Sequence, residues 1–189
     1  MCKGSQPRWD DGGRMDLKAL VRTIPDFPKP GIQFRDITTL LLDGPGFAAA
    51  VDALVELARP HGADLIAGIE ARGFIFSAPV SRALGVGLLP VRKPGKLPGP
   101  RIGIDYALEY GTDRLEIHQG ACVPGHRVLL VDDLIATGGT ALATVELLRR
   151  SAAEVPAALF AIDLPDLGGA DRLRAAGIEP HALMSFSGH

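Results

Sequence analysis

Short apolar runs alternate with amphipathic stretches along most of the chain. The clearest amphipathic stretch is "GFAAAVDALVELARPHG", where Phe47, Val51, Leu54, Val55 and Ala58 share one face at helical spacing and Gly62 supplies a stop. A short apolar run follows at 63–69, "ADLIAGI", then a helix at 74–85 and a second run at 86–92, "VGLLPVR". "LEIHQG", "RVLLVDD" and "AALFAIDL" read as further strands, with "TALATVELLRRS" and "GADRLRAAG" as helices between or after them. Short apolar runs alternating with helices predict an α/β fold: a mostly parallel sheet covered on both faces and joined by right-handed crossovers.

The remaining segments are less regular. "MDLKALVRTI", from Met15, reads as a helical start, and the polar, glycine-containing residues 1–14 before it as a disordered extension, leaving 15–189 as the folded domain. "PDFPKPG" enforces a loop through three prolines and a glycine. The stretch 92–106, "RKPGKLPGPRIGIDY", is too rich in glycine and proline for regular structure and longer than a routine connection, which marks a lid or binding loop.

At 189 residues the chain suits one domain with a sizeable core. A formal net charge of −2 with 22% charged residues gives no general reason to expect nucleic acid as a partner, so any basic function is local. Cys2 and Cys122 are the only cysteines, a disulfide framework is not expected, and a reducing compartment follows. No stretch reaches the ~20 apolar residues of a membrane helix, and the start lacks the apolar core of a secretory signal; both point to the cytoplasm. The five histidines, His61, His118, His126, His181 and His189, lack zinc-like spacing.

The chemistry concentrates in "VLLVDDLIATGGT". In a parallel sheet, ligands gather beyond the carboxyl ends of the strands, and this run delivers Asp132 and Asp133 to that edge. Gly138 and Gly139 can take backbone angles closed to other residues, so that successive N–H groups of Ala136–Thr140 point into one concavity, with Thr137 and Thr140 adding hydroxyls and a helix N-terminus behind. Such a cradle suits a phosphate. The carboxylates would repel a phosphate, so they need hydroxyl donors or a divalent cation. A ribose 5-phosphate meets both demands. Neither GxxxxGK[ST] nor a GxGxxG after a strand is present, which sets aside ordinary nucleotide-hydrolase and dinucleotide readings.

This segment resembles the phosphoribosyl-pyrophosphate signature of the type I phosphoribosyltransferases. "FPKPGIQFRDIT" and "RKPGKLPGP" with "YALEYGTDRLEIH" are similar to adenine phosphoribosyltransferases, and the likeness runs from about Asp16 to the C-terminus. It implies a core with a small N-terminal hood and a flexible active-site loop, Mg2+ as cofactor, a homodimer, and transfer of phosphoribose to adenine with release of pyrophosphate. By resemblance, Arg72 and the backbone at Glu70 and Ala71 form the pyrophosphate site, with a cis peptide between those two. Arg92, Lys93 and Lys96 neutralise the leaving group, Phe34 stacks on adenine, and backbone groups around Gln33 and Arg35 read its polar edge. Glu109 handles the proton at the base nitrogens, Tyr110 helps the loop close, and Asp132 and Asp133 hold the ribose and, directly or through water, the metal. Transfer to another purine is the nearest alternative. A nucleic-acid-binding regulator on the same fold would need a basic face or an added unit, which the 14-residue lead-in is too short to supply.

Overall fold

The computed structural model describes residues 15–107 and 111–188, so the expected disordered extension at 1–14 lies outside the described residues. The helical start expected at Met15 is not what forms. A 3-10 turn spans Lys18–Leu20, and the chain then extends into strand β1 (Arg22–Pro25), antiparallel to β2 (Gln33–Asp36). Thr23 and Ile24 are β-branched and Pro25 bars a further helical turn, so cross-strand pairing overrides the weak helical period of the preceding residues.

Helix α1 (Thr38–Leu42) leads into α2 (Gly44–Ala58), where Asp43 accepts a hydrogen bond from Gly46 N–H at 2.8 Å as the N-cap. Strand β3 (Leu65–Ile69), helix α3 (Gly73–Leu84) and strand β4 (Gly87–Val91) follow. Next comes an antiparallel ribbon, β5 (Arg101–Ala107) with β6 (Thr112–His118). The expected irregular stretch is thus irregular only to Pro100: Ile102, Ile104 and Tyr106 alternate with polar residues and pair across the ribbon. Strand β7 (Val128–Ile135), helix α4 (Gly139–Arg150), strand β8 (Ala157–Asp163), helix α5 (Gly169–Ala175) and strand β9 (Glu179–Ser185) complete the chain. β9 carries no strand signal strong enough to predict, with Pro180 at its second position and an exposed start.

The five-stranded sheet runs β4-β3-β7-β8-β9, and all its pairings are parallel. Alternate residues of its central strands enter two separate cores. Leu129, Val131 and Leu159 pack with Phe76, Leu54 and Leu40 on one face, while Val128, Leu130 and Phe160 pack with Val145, Leu147 and Leu148 on the other. Burial on both faces is why these strands read as continuous apolar runs. No helix among the described residues is long and apolar enough to cross a membrane. Cys122 is buried and free.

The N-terminal hairpin is pinned by Asp36. The Thr38 hydroxyl and N–H, the latter at 2.9 Å, and then the Arg22 guanidinium hold its carboxyl at about 2, below the ordinary 3.8. A depressed carboxyl stabilises the fold above its unfolded value, and the contribution disappears as pH falls from about 4 to about 2. Asp36→Asn should therefore cost up to about 2 kcal/mol at neutral pH, discounted toward 1 because Arg22 is more than half exposed. Denaturant titrations of both proteins across that pH range should show the gap closing; a pH-independent gap would reject the assignment.

Candidate active site

Strands β3 and β7 end side by side, and the turns after them enclose a cleft of about 280 Å³ lined by Glu70–Arg72, Lys93 and Asp132–Ala141. The loop Ala136–Thr140 forms one wall. Gly138, at φ 78°, is the N-cap of α4 and packs against Gly169, where a Cβ would meet Gly169 Cα at 3.0 Å. Only this glycine has the left-handed backbone. Gly139 does not, and a Cβ there would meet nothing nearer than 3.8 Å, so neither conformation nor protein packing demands a glycine at that place. What a bare Gly139 leaves open is close approach of a ligand to the backbone. The loop is braced from behind: Gly169 N–H donates to Ala136 O at 3.0 Å and Arg172 to Thr137 O at 2.6 Å.

Opposite the loop, Asp133 is buried and its Oδ2 lies 2.7 Å from Arg72 Nε, a half-exposed side chain at the start of α3. Asp132 Oδ1 accepts from Asp133 N–H at 2.9 Å and rests against Gly73, where a Cβ would come within 2.6 Å of that oxygen. Burial, then the neighbouring Asp133 charge, pushes the Asp132 carboxyl well up. Burial also raises Asp133, against the opposing pull of Arg72. The pair is thus costly to ionise without a ligand, which fits a site completed by hydroxyl donors or a cation.

Glu70 lines the cleft beside Arg72. Its carboxylate accepts from Arg92 Nε at 3.0 Å and Lys93 N–H at 2.9 Å, and the Arg92 bond, then the Lys93 N–H, lower it. Its side chain ties the end of β3 to the segment after β4. The Glu70–Ala71 peptide is cis, as the resemblance implies. Lys93 pairs with Asp113 and lies 3.1 Å from the Tyr106 hydroxyl, which is itself 3.4 Å from Thr140 Oγ1. Burial alone would lower Lys93, but the bonds to Asp113 and Tyr106 leave it raised. Tyr106 and Asp113 thus connect the ribbon, the basic segment and the glycine loop. Neither was singled out in the sequence, although the Ile102–Ile104–Tyr106 alternation was the available signal. Lys96 is exposed, and of the basic cluster only Lys93 lines the cleft.

A family model for the phosphoribosyl transferase domain matches residues 38–171. The adenine phosphoribosyltransferase of Erythrobacter litoralis is 66% identical over 92% of this chain and 98% of its own length, and that of Sphingopyxis alaskensis 63% identical over 92% and 95%. The chain belongs to the adenine phosphoribosyltransferase family. Among solved structures, the adenine phosphoribosyltransferase of Thermoanaerobacter pseudethanolicus superposes with a TM-score of 0.86 at 46% identity, covering 90% of this chain and 98% of that one. The Saccharomyces cerevisiae enzyme, complexed with an imino-altritol bisphosphate and adenine, gives 0.83 at 38% identity, covering 89% and 97%. The fold is that of the type I phosphoribosyltransferases, with the β1–β2 hairpin as the small N-terminal hood.

The residues expected to meet the base in a member of this family sit apart from the cleft wall. Phe34 is half-buried in β2 with its ring edge-on to Phe27, centroids 5.2 Å apart. Gln33 precedes it, and Arg35 is turned away: its guanidinium donates to Thr23 Oγ1 at 2.6 Å and Ser187 O at 2.8 Å and covers the Phe186 ring. That leaves the backbone of β2, not the Arg35 side chain, for reading a base. Glu109 and Tyr110 lie outside the described residues. For magnesium, Asp132 and Asp133 offer hard carboxylate oxygens of the right class, but Arg72 occupies one side of Asp133. Two carboxylates fit an ion held mainly by substrate oxygens and water.

Proposed function

We propose that this chain transfers the phosphoribosyl group of phosphoribosyl pyrophosphate to adenine, forming AMP and pyrophosphate in purine salvage. The observation that carries this is the cleft: a braced glycine loop at a helix N-terminus faces a buried acid pair held by Arg72. In this reading the N–H groups and hydroxyls of Ala136, Thr137, Gly138, Gly139 and Thr140 take the 5-phosphate. Asp132 and Asp133 accept hydrogen bonds from the ribose 2- and 3-hydroxyls. A C–N bond forms between adenine N9 and the anomeric carbon as the bond from that carbon to pyrophosphate oxygen breaks.

The charge that appears on pyrophosphate is met by Arg72, Lys93 and the backbone at Glu70–Ala71, with Arg92 held close by Glu70 and Lys96 beyond. Mg2+, when bound through Asp132 and Asp133 or their water, adds positive charge at the same place. Phe34 stacks on adenine while the backbone at Gln33 and Arg35 reads its edge, Glu109 takes the N9 proton, and Tyr110 helps to close the site against water. In this reading the working unit is a homodimer and the setting cytoplasmic, where a reducing environment keeps a thiol such as the buried Cys122 free.

The purified protein, given adenine, phosphoribosyl pyrophosphate and Mg2+, should produce AMP and pyrophosphate in equal amounts on a chromatographic assay. Hypoxanthine and guanine should be slower by at least about 10³ in kcat/KM, because the wrong edge leaves buried backbone groups unpaired. Faster turnover of either than of adenine would overturn the substrate assignment.

A further inference from the structure

We propose a second metal site, distant from the cleft, formed by His61, Glu179 and His181 and suited to Zn2+ or a similar transition-metal dication. The fold brings these residues together across about two thirds of the sequence. His61 closes the 3-10 turn that continues α2, while Glu179 and His181 open β9, one residue apart and on the same side of the strand. One ligand atom from each lies within 4.8 Å of the others, and the two imidazole rings are 5.4 Å apart, tilted by 55°.

Three observations point to a cation rather than to a chance cluster. First, His181 Nε2 is buried, has no hydrogen-bond donor or acceptor satisfying it, and stands 3.3 Å from Glu179 Oε1. A buried ring nitrogen left unsatisfied is costly, and a bound ion would satisfy it and the carboxylate together. Second, ligand atoms on a tetrahedral ion with bonds of about 2.0–2.1 Å lie about 3.4 Å apart. The His181–Glu179 spacing already has that value, and His61, half-buried, needs only a modest ring movement to join. Third, the backbone that carries His61 is held in place, its carbonyl accepting from Arg127 Nε at 3.0 Å and the turn closing with Gly62 N–H on Arg59 O, so the fold rather than a mobile side chain brings His61 to the other two.

The donor set selects the ion. Two imidazoles and one carboxylate suit Zn2+, Ni2+ or Co2+ and not Mg2+, so this site would not compete for the ion of the reaction. Three protein ligands leave a fourth position for water. His61 lies before β3, and Glu179 and His181 lie at the amino end of β9, so the site is at the sheet edge opposite the cleft. There it clips α2 to edge strand β9, a stabilising rather than a catalytic position.

The full chain, stripped with EDTA and dialysed against micromolar Zn2+, should retain one equivalent by atomic absorption. Its thermal midpoint should rise by about 5 °C at a hundredfold excess over Kd, and Mg2+ at the same concentration should do neither. His61→Ala with His181→Ala should abolish both responses with the rate of AMP formation unchanged. Glu179→Gln, at a largely exposed position that does not endanger folding, should weaken Zn2+ binding by about 10- to 100-fold. Failure of the parent to retain Zn2+, or undiminished retention by the double variant, would overturn the site and leave a simple His–Glu contact.

Discussion

Asp133→Asn is expected to lower kcat/KM for AMP formation by about 10²–10³ while leaving the fold intact. The amide has the same shape, so the packing around position 133 is kept. It carries no charge to hold Arg72, whose Nε now lies 2.7 Å from Asp133 Oδ2. It also leaves one neutral acceptor oxygen in place of two charged ones, so the charge-assisted bonds it offers to sugar hydroxyls or a metal are lost. Stability should move the other way from activity, or hardly at all. Burial already raises the Asp133 carboxyl, so its ionised form is disfavoured in the folded protein, and Arg72 is half exposed and stays solvated when left alone. Unfolding free energies from denaturant titration within about 1 kcal/mol of the parent, together with the kinetic loss, would separate a site role from a structural one. A rate within tenfold of the parent would remove Asp133 from the reaction.

The parts of this site that were legible in the sequence are those set by local rules. Val128–Val131 is apolar throughout because both faces of β7 are covered, and "ATGGT" announces a turn into a helix, since Gly138 must adopt φ 78°. The glycine reading was half right: Gly138 uses its conformational freedom, whereas Gly139 is not in the left-handed region. What stayed hidden depends on pairing partners far along the chain. "LKALVRTI" has a passable helical period, and only the match of Arg22–Pro25 with Gln33–Asp36 makes it a hairpin. β5 was masked by the prolines before it. The ties of the Glu70 carboxylate to Arg92 and Lys93 were likewise hidden, because those partners come from the neighbouring strand's end. His61 and His181 fail any spacing rule, because it is the α2–β9 contact that brings them together.

Gly169→Ala should be nearly as damaging, although Gly169 makes no contact with a substrate in the proposed mechanism. A Cβ at this position would lie 2.3 Å from Ala136 O, 2.8 Å from Gly138 N and 2.8 Å from Ile135 Cγ1. Two of those atoms are backbone of the phosphate-type loop, so relief means moving the loop or the start of α5 by about 1 Å. A displacement of that size at a positioned group costs about 10² in rate. The gain from alanine at the first residue of a helix, at most about 1 kcal/mol, would leave the protein folded while the loop is misplaced. The loss should fall on KM for phosphoribosyl pyrophosphate and on the affinity for ribose 5-phosphate measured by calorimetry, with adenine binding unchanged. Gly44→Ala is the control for a helix-start glycine away from the cleft: beyond its chain neighbours a Cβ there would meet nothing within 4 Å, so KM for phosphoribosyl pyrophosphate should stay at the parent's value even if the following Pro45 makes the change cost some stability. If Gly169→Ala kept the parent's KM, the α5 contact would not set the loop, and the phosphate would have to bind somewhere other than Ala136–Thr140.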